Sequence, residues 1–172
     1  SDGDLMEGIS HEAISIAGHM KLSRLIVLYD DNDISIDGPL SLSESGDALA
    51  RFEAAGWDAV RIDGHDFDAI DQAIIQAKES GKPSLIACKT VIGYGSPNKQ
   101  GTSGAHGAPL GDDEITITRQ GLGWDSAPFE IPSDILDAWR MAGRANAPKR
   151  KAWEGRLEEQ SSETQHRFKR LI

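Results

Sequence analysis

Near its start this chain carries a small set of oxygen-bearing groups that could do chemistry together. Asp2 offers a carboxylate, Asn32 an amide oxygen, and the backbone near Ile34 a carbonyl. Gly3, beside Asp2, has no side chain to hold a ligand away from the backbone. Hard oxygens of this kind suit magnesium, which takes an octahedron of oxygens, one or two from the protein and the rest from phosphate and water. A metal-held diphosphate is the ligand such a set would serve, and the free amides that open a following helix attract anions. Taken alone, Asp-Gly is common in turns. An ordinary βαβ unit with a turn aspartate and a strand-end asparagine accounts for the same residues.

Elements with the right spacing stand between these groups. Leu5, Ile9, Ala13, Ile16, Ala17 and Met20 recur at helical spacing. Leu25-Ile26-Val27-Leu28-Tyr29 is apolar, β-prone and too short for a helix, which predicts a buried parallel strand ended by Asp30-Asp31-Asn32. Turn, helix, strand and polar turn then bring both oxygen-bearing side chains to one end of neighbouring strands. Open parallel sheets bind their ligands at that end.

The rest of the chain alternates in the same manner. Asp33 to Pro39 reads as a loop closed by Gly38-Pro39. Ser45 or Asp47 can cap a helix that runs to about Ala55 and ends at Gly56. Trp57 to Ile62 predicts a strand, and Asp63-Gly64-His65-Asp66 a turn. A helix follows with Phe67, Ile70, Ala73, Ile74 and Ala77 at core spacing, then a strand over Ser84–Lys89. Thr90 to Gly111 is long, glycine-rich and irregular, and such loops are usually functional or disordered. Asp112-Asp113-Glu114 can open a helix that Gly121 to Trp124 ends, and Ile131-Pro132-Ser133 opens another through Leu136, Trp139 and Met141. From Pro148 onward mixed charges predict a solvated helix. Alternating strands and helices argue an α/β fold with right-handed crossovers.

Composition sets bounds. A chain of 172 residues, 38% hydrophobic and 27% charged, is enough for one globular core. A formal net charge of -10 argues against a duplex nucleic-acid binder. Magnesium and helix amides can still supply local positive potential to an anionic cofactor. Cys88 is the single cysteine and can form no internal disulfide, which fits a reducing compartment. No apolar run reaches membrane-spanning length, so cytoplasm and no membrane partner are the expectations.

The stretches DGDLMEGISHEA and YDDNDISIDG resemble the thiamine-diphosphate motif, in which Gly-Asp-Gly is followed some thirty positions later by Asn, in its transketolase form. Ile92-Gly93-Tyr94-Gly95-Ser96 and His106-Gly107-Ala108-Pro109-Leu110 also resemble transketolase, in the family's order. Ser1 departs from the pattern, standing where the family has Gly. The resemblance implies a three-layer α/β fold, a parallel sheet flanked by helices, incomplete at the N-terminus. Residues 1–147 would be a partial thiamine-diphosphate-binding domain, and 148–172 a charged helical extension leading towards an interdomain linker.

The family's roles fall on particular residues. Asp2, Asn32 and the Ile34 carbonyl would hold magnesium, and Gly3 the diphosphate. Ile36 and Ile92 would touch the thiazolium. His106 would reach the diphosphate and the sugar's hydroxyl end, where imidazole suits proton movement near neutral pH. Glu7 would lie at a homodimer interface and bond the partner subunit's catalytic glutamate, which activates the cofactor. A loop histidine can equally be a solvent-exposed residue, and a first-turn glutamate is favoured by the helix dipole alone. The implied reaction moves a two-carbon ketol unit from a ketose phosphate to an aldose phosphate, as in the pentose phosphate pathway. Other readings are a different thiamine-diphosphate enzyme, such as a deoxyxylulose-phosphate synthase, and a non-catalytic chain that binds magnesium diphosphates and needs a partner.

Overall fold

The structure, a computed structural model, describes residues 1–171. It divides into two compact units, Ser1–Trp124 and a second beginning at Asp125. In the first unit α1 (Asp2–Met6) and α2 (Gly8–His19) lead to β1 (Ile26–Asp31) and to a small hairpin of β2 (Ile34–Ser35) and β3 (Gly38–Pro39). Then come α3 (Ala48–Ala54), β4 (Asp58–Asp63), α4 (Phe67–Glu79), β5 (Ser84–Lys89) and α5 (Asp112–Gly121).

Strands β1, β5 and β4 form a parallel sheet in that order. The central strand β5 is apolar on both faces because both faces are covered. Leu85 and Ala87 join Ile14, Ala17, Tyr29, Phe52 and Trp57 on one side. Ile86 and Cys88 meet Ala73 and Ala77 of α4 on the other. The β1-α3-β4 connection crosses the sheet one way and β4-α4-β5 returns. Crossovers of one hand must then lie on opposite faces, as α3 and α4 do. Asp47 caps α3 by accepting the Ala50 N–H, and Asp66 caps α4 by accepting those of Asp68 and Ala69. Gly56, at φ +90°, ends α3 in the left-handed region.

Several local expectations change. Asp2-Gly3 lies in the short helix α1 rather than in a turn, and an extended Glu7 separates α1 from α2. The buried stripe of α2 is Ile14, Ala17 and Gly18, while Ile9 (76% exposed), Ala13, Ile16 and Met20 face outward. The helix docks through its small residues: a Cβ on Gly18 would stand 1.8 Å from the Ala55 carbonyl oxygen. Trp57 Nε1 donates to the Ile14 carbonyl at 2.9 Å across the same contact. Strand β1 is buried on one face only, through Tyr29 and Asp31, and Leu28 is 54% exposed. The loop after Asn32 is the β2-β3 hairpin. In α4, Phe67 lies outside the core at the first helical position. Residues 90–111 have no regular element beyond a 3-10 turn at Ser103–Ala105.

The second unit contains α6 (Ser133–Arg144), α7 (Ala147–Glu158) and α8 (Ser162–Leu171), none with a buried residue. Two helices thus replace the single charged helix expected from Pro148, and Trp139 and Met141 are exposed. Trp153 and Phe168 bring α7 and α8 together, with ring centroids 5.4 Å apart. The expected change of character at 147/148 falls inside this unit. Among the described residues, no helix is long and apolar enough to cross a membrane.

Candidate functional site

The C-terminal end of the sheet carries the oxygen-bearing groups. Asp2 opens α1, which packs against β1 and β2. Its carboxylate is 2% exposed, and the Tyr29 hydroxyl of β1 donates to Oδ1. Burial, then the hydrogen bond to Asp2, push the Tyr29 phenol far above its ordinary pKa, so it remains a donor. The second oxygen, Oδ2, is buried with no hydrogen-bond partner. A buried carboxylate oxygen in this state is costly until a donor or a cation reaches it.

Asn32 follows the last residue of β1 and is half-buried. Its Nδ2 donates to Asp30 Oδ2 at 3.1 Å, and its Oδ1 accepts the Ile34 N–H at 3.0 Å. An amide oxygen has two lone pairs, so one is left for a cation. Between them Asp33 sits at φ +62°, a left-handed conformation uncommon outside glycine. A cleft of about 360 Å³ is lined by Gly3, Asn32, Ile34, Ile36 and His106, so five of the residues singled out in the sequence meet around one space. Asp2, bonded to Tyr29 and next to Gly3 in the chain, is buried and does not itself line the cleft.

Ile92 is half-buried and does not line this cleft; its carbonyl accepts the Gly101 N–H at 2.8 Å. Glu7 is exposed at the break between α1 and α2, outside the cleft. His106 is exposed and follows the 3-10 turn, its N–H bonded to the Ser103 carbonyl at 2.9 Å.

The loop over 90–111 is fixed at two places that the sequence did not single out. His65, before α4, accepts the Val91 N–H on Nε2 at 3.0 Å and stacks on Tyr94 with ring centroids 4.1 Å apart. Glu114, in the first turn of α5, accepts the Ser96 hydroxyl, the Asn98 N–H at 2.8 Å and Asn98 Nδ2 at 2.8 Å. These bonds hold the Glu114 carboxyl below its usual range, with the Ser96 hydrogen bond contributing most. No periodicity could have identified either anchor, because each depends on how separate loops fold together.

A charge network lies under the Asn32 turn. Asp31, 4% exposed, accepts Arg61 Nε at 2.9 Å and lies 3.5 Å from Lys89 Nζ. Lys89 also pairs with Asp33. Among the described residues no three His, Cys, Asp or Glu side chains gather into a metal cage. Magnesium held jointly with a diphosphate does not require one, since a carboxylate, an amide oxygen and a carbonyl suffice beside phosphate and water. The orphaned Asp2 oxygen and the open Asn32 lone pair fit such an ion.

A family profile described as transketolase, thiamine diphosphate binding domain, matches residues 1–172. A transketolase of Cereibacter sphaeroides is 55% identical over 157 residues, 91% of this chain and 24% of that protein. The crystal structure of transketolase from Campylobacter jejuni superimposes with a TM-score of 0.85 at 39% identity, covering 94% of this chain and 26% of that one. A Pichia stipitis transketolase in complex with sedoheptulose 7-phosphate gives a TM-score of 0.82 at 36% identity, covering 97% and 25%. The chain spans about a quarter of the length of the relatives it matches.

Proposed function

Since the chain belongs to the transketolase thiamine-diphosphate-binding domain family, we propose that it binds the diphosphate of thiamine diphosphate through magnesium at the Asn32 cleft. The observation that carries this is the buried Asp2 carboxylate oxygen without a partner, adjacent in the chain to Gly3 of a cleft that Asn32, Ile34 and His106 also line. Asp2, the Asn32 amide oxygen and the Ile34 carbonyl would hold the ion. Gly3 leaves the backbone open to the diphosphate, because a glycine there keeps that wall of the cleft free of side chain. Ile36 offers an exposed apolar side chain for the thiazolium. The role of Ile92 on the same ring rests on the family likeness.

Thiamine diphosphate, when bound, supplies the carbanion chemistry that side chains cannot. This chain's residues would bind and orient it and move protons. His106, exposed on the cleft wall, is suited to donate to a diphosphate oxygen or to carry a proton for a substrate hydroxyl. Glu7 is exposed at the α1-α2 break, where a glutamate of a partner subunit in a homodimer could reach it. The longer protein would transfer a two-carbon ketol unit from a ketose phosphate to an aldose phosphate in the cytoplasm, as part of pentose phosphate metabolism. The Pichia stipitis complex with sedoheptulose 7-phosphate supports a sugar phosphate as substrate.

Calorimetric titration of the chain with thiamine diphosphate, with and without magnesium, tests the site. Magnesium-dependent binding is expected, weakened at least about tenfold by Asp2→Ala or Asn32→Ala, since each removes a ligand to the ion. Binding that ignores magnesium and both substitutions would refute the assignment.

A further inference from the structure

Lys89 ends the central strand, directly opposite Asp31 of β1 and Asp63 of β4. Its ammonium reaches two carboxylates that flank Asn32 in the sequence, Asp31 at 3.5 Å and Asp33. Burial alone would lower the Lys89 pKa, but the hydrogen bond to Asp33 and the charge of Asp31 outweigh it and hold the ammonium more firmly charged. Asp31 is buried and already takes Arg61 Nε at 2.9 Å, so its carboxylate is a fixed post. Asp33 is exposed and left-handed, a backbone conformation that costs energy unless the surroundings hold it. One lysine therefore ties the exposed side of the turn to its buried side.

We propose that Lys89 is a positioning residue for the metal-binding turn, clamping Asp33 to Asp31 so that the Asn32 amide oxygen and the Ile34 carbonyl are preset for the cation. The inference rests on the reading of Asn32 and Ile34 as magnesium ligands. Two further bonds show how the clamp is transmitted. The Ile34 N–H donates to Asn32 Oδ1 at 3.0 Å, and the Leu40 N–H donates to the Asp33 carbonyl at 2.8 Å. If Asp33 relaxes, both bonds lose their geometry together. The lysine also offsets acidic charge. Asp30, Asp31 and Asp33 crowd beside a site meant for an anion, and the pairing with Lys89 and Arg61 lessens their repulsion of phosphate oxygens.

The test compares Lys89→Met, which keeps the aliphatic stem, with Lys89→Arg, and with the exchanged pair Lys89→Asp/Asp33→Lys. Amide hydrogen exchange at Ile34 and Leu40 is read in the cofactor-free protein, and half-saturating magnesium is read in calorimetric titrations with thiamine diphosphate. Lys89→Met should speed exchange at both amides about fivefold or more, because local opening governs exchange there. It should also raise half-saturating magnesium about fivefold, the cost of a turn no longer preset for binding. Lys89→Arg and the exchanged pair should recover most of both effects. Unchanged exchange in Lys89→Met, or equal loss in Lys89→Arg, overturns the clamp. Magnesium-independent binding by the unaltered protein overturns the ligand reading instead, and the exchange measurement still decides the clamp.

Discussion

Tyr29 places its hydroxyl on one oxygen of a buried carboxylate and leaves the other bare. That asymmetry makes Asp2 sensitive to what else is bound. Tyr29→Phe should destabilise the cofactor-free chain by about 1–3 kcal/mol, the penalty for leaving a buried acceptor unsatisfied. With magnesium and thiamine diphosphate present the deficit should shrink, since the cation satisfies the same carboxylate. Urea unfolding of both proteins, with and without ligand, checks this; an equal deficit in both conditions would detach Asp2 from the metal. At this scale the sequence was informative about groups that lie on one turn. Asn32, Ile34 and Ile36 are close along the chain, and Gly3 and His106 join them at one cleft. Tyr29 was invisible as a partner because its donor role depends on α1 packing against β1, and the apolar run around it signalled only a strand. Lys89 and Arg61 were missed for the same reason: their meeting at Asp31 is a consequence of strand register.

Strands and helices were largely legible, and the surfaces by which they meet were not. Asp47, Gly56 and Asp66 mark helix ends through local chemistry, which a sequence displays directly. The face by which α2 docks is set by Gly18 fitting against Ala55, while the larger Ile9, Ile16 and Met20 remain outside. Apolar spacing alone favours the larger residues and so selects the wrong stripe. The glycine-rich loop shows the same division: its irregularity was evident, but its attachment to α5 through Glu114 was not. That attachment makes stability depend on pH. The Glu114 carboxyl, favoured in its charged form by Ser96 and Asn98, titrates below its ordinary value of 4.5 in the folded chain. Its contribution is therefore complete above about that pH and disappears as pH falls through the lower folded value. Glu114→Gln should melt below the unaltered chain near neutral pH, and the gap should narrow as the pH is taken below 4.5. A gap that stays constant while the pH falls below 4.5 until the chain unfolds would show that the carboxylate charge does not fasten the loop.

At the scale of the molecule, the proposed reading asks this chain for binding and the longer relatives' length for the rest. The matched relatives are about four times its length, and the cleft at Asn32 is bounded by α1, Asn32, the β2-β3 hairpin, Ser43 and the His106 segment. In the function proposed above, activation of the cofactor would fall to a glutamate of a partner subunit, with the exposed Glu7 as its contact. Alternation of strand and helix was enough to read the α/β class, because each βαβ unit repeats the same local pattern. It said nothing of how much surface the sheet leaves open. Leu28 on β1 and Ile9, Ile16 and Met20 on α2 are exposed apolar side chains that the spacing assigned to a core. Binding and turnover should therefore separate. The 172-residue chain, assayed by itself with a ketose phosphate donor, an aldose phosphate acceptor, magnesium and thiamine diphosphate, should transfer no ketol unit above background. The full-length protein carrying the same residues should turn over, and Asn32→Ala in it should raise the magnesium requirement. Measurable ketol transfer by the purified chain would mean that its own residues, His106 foremost, complete the proton movements without a partner.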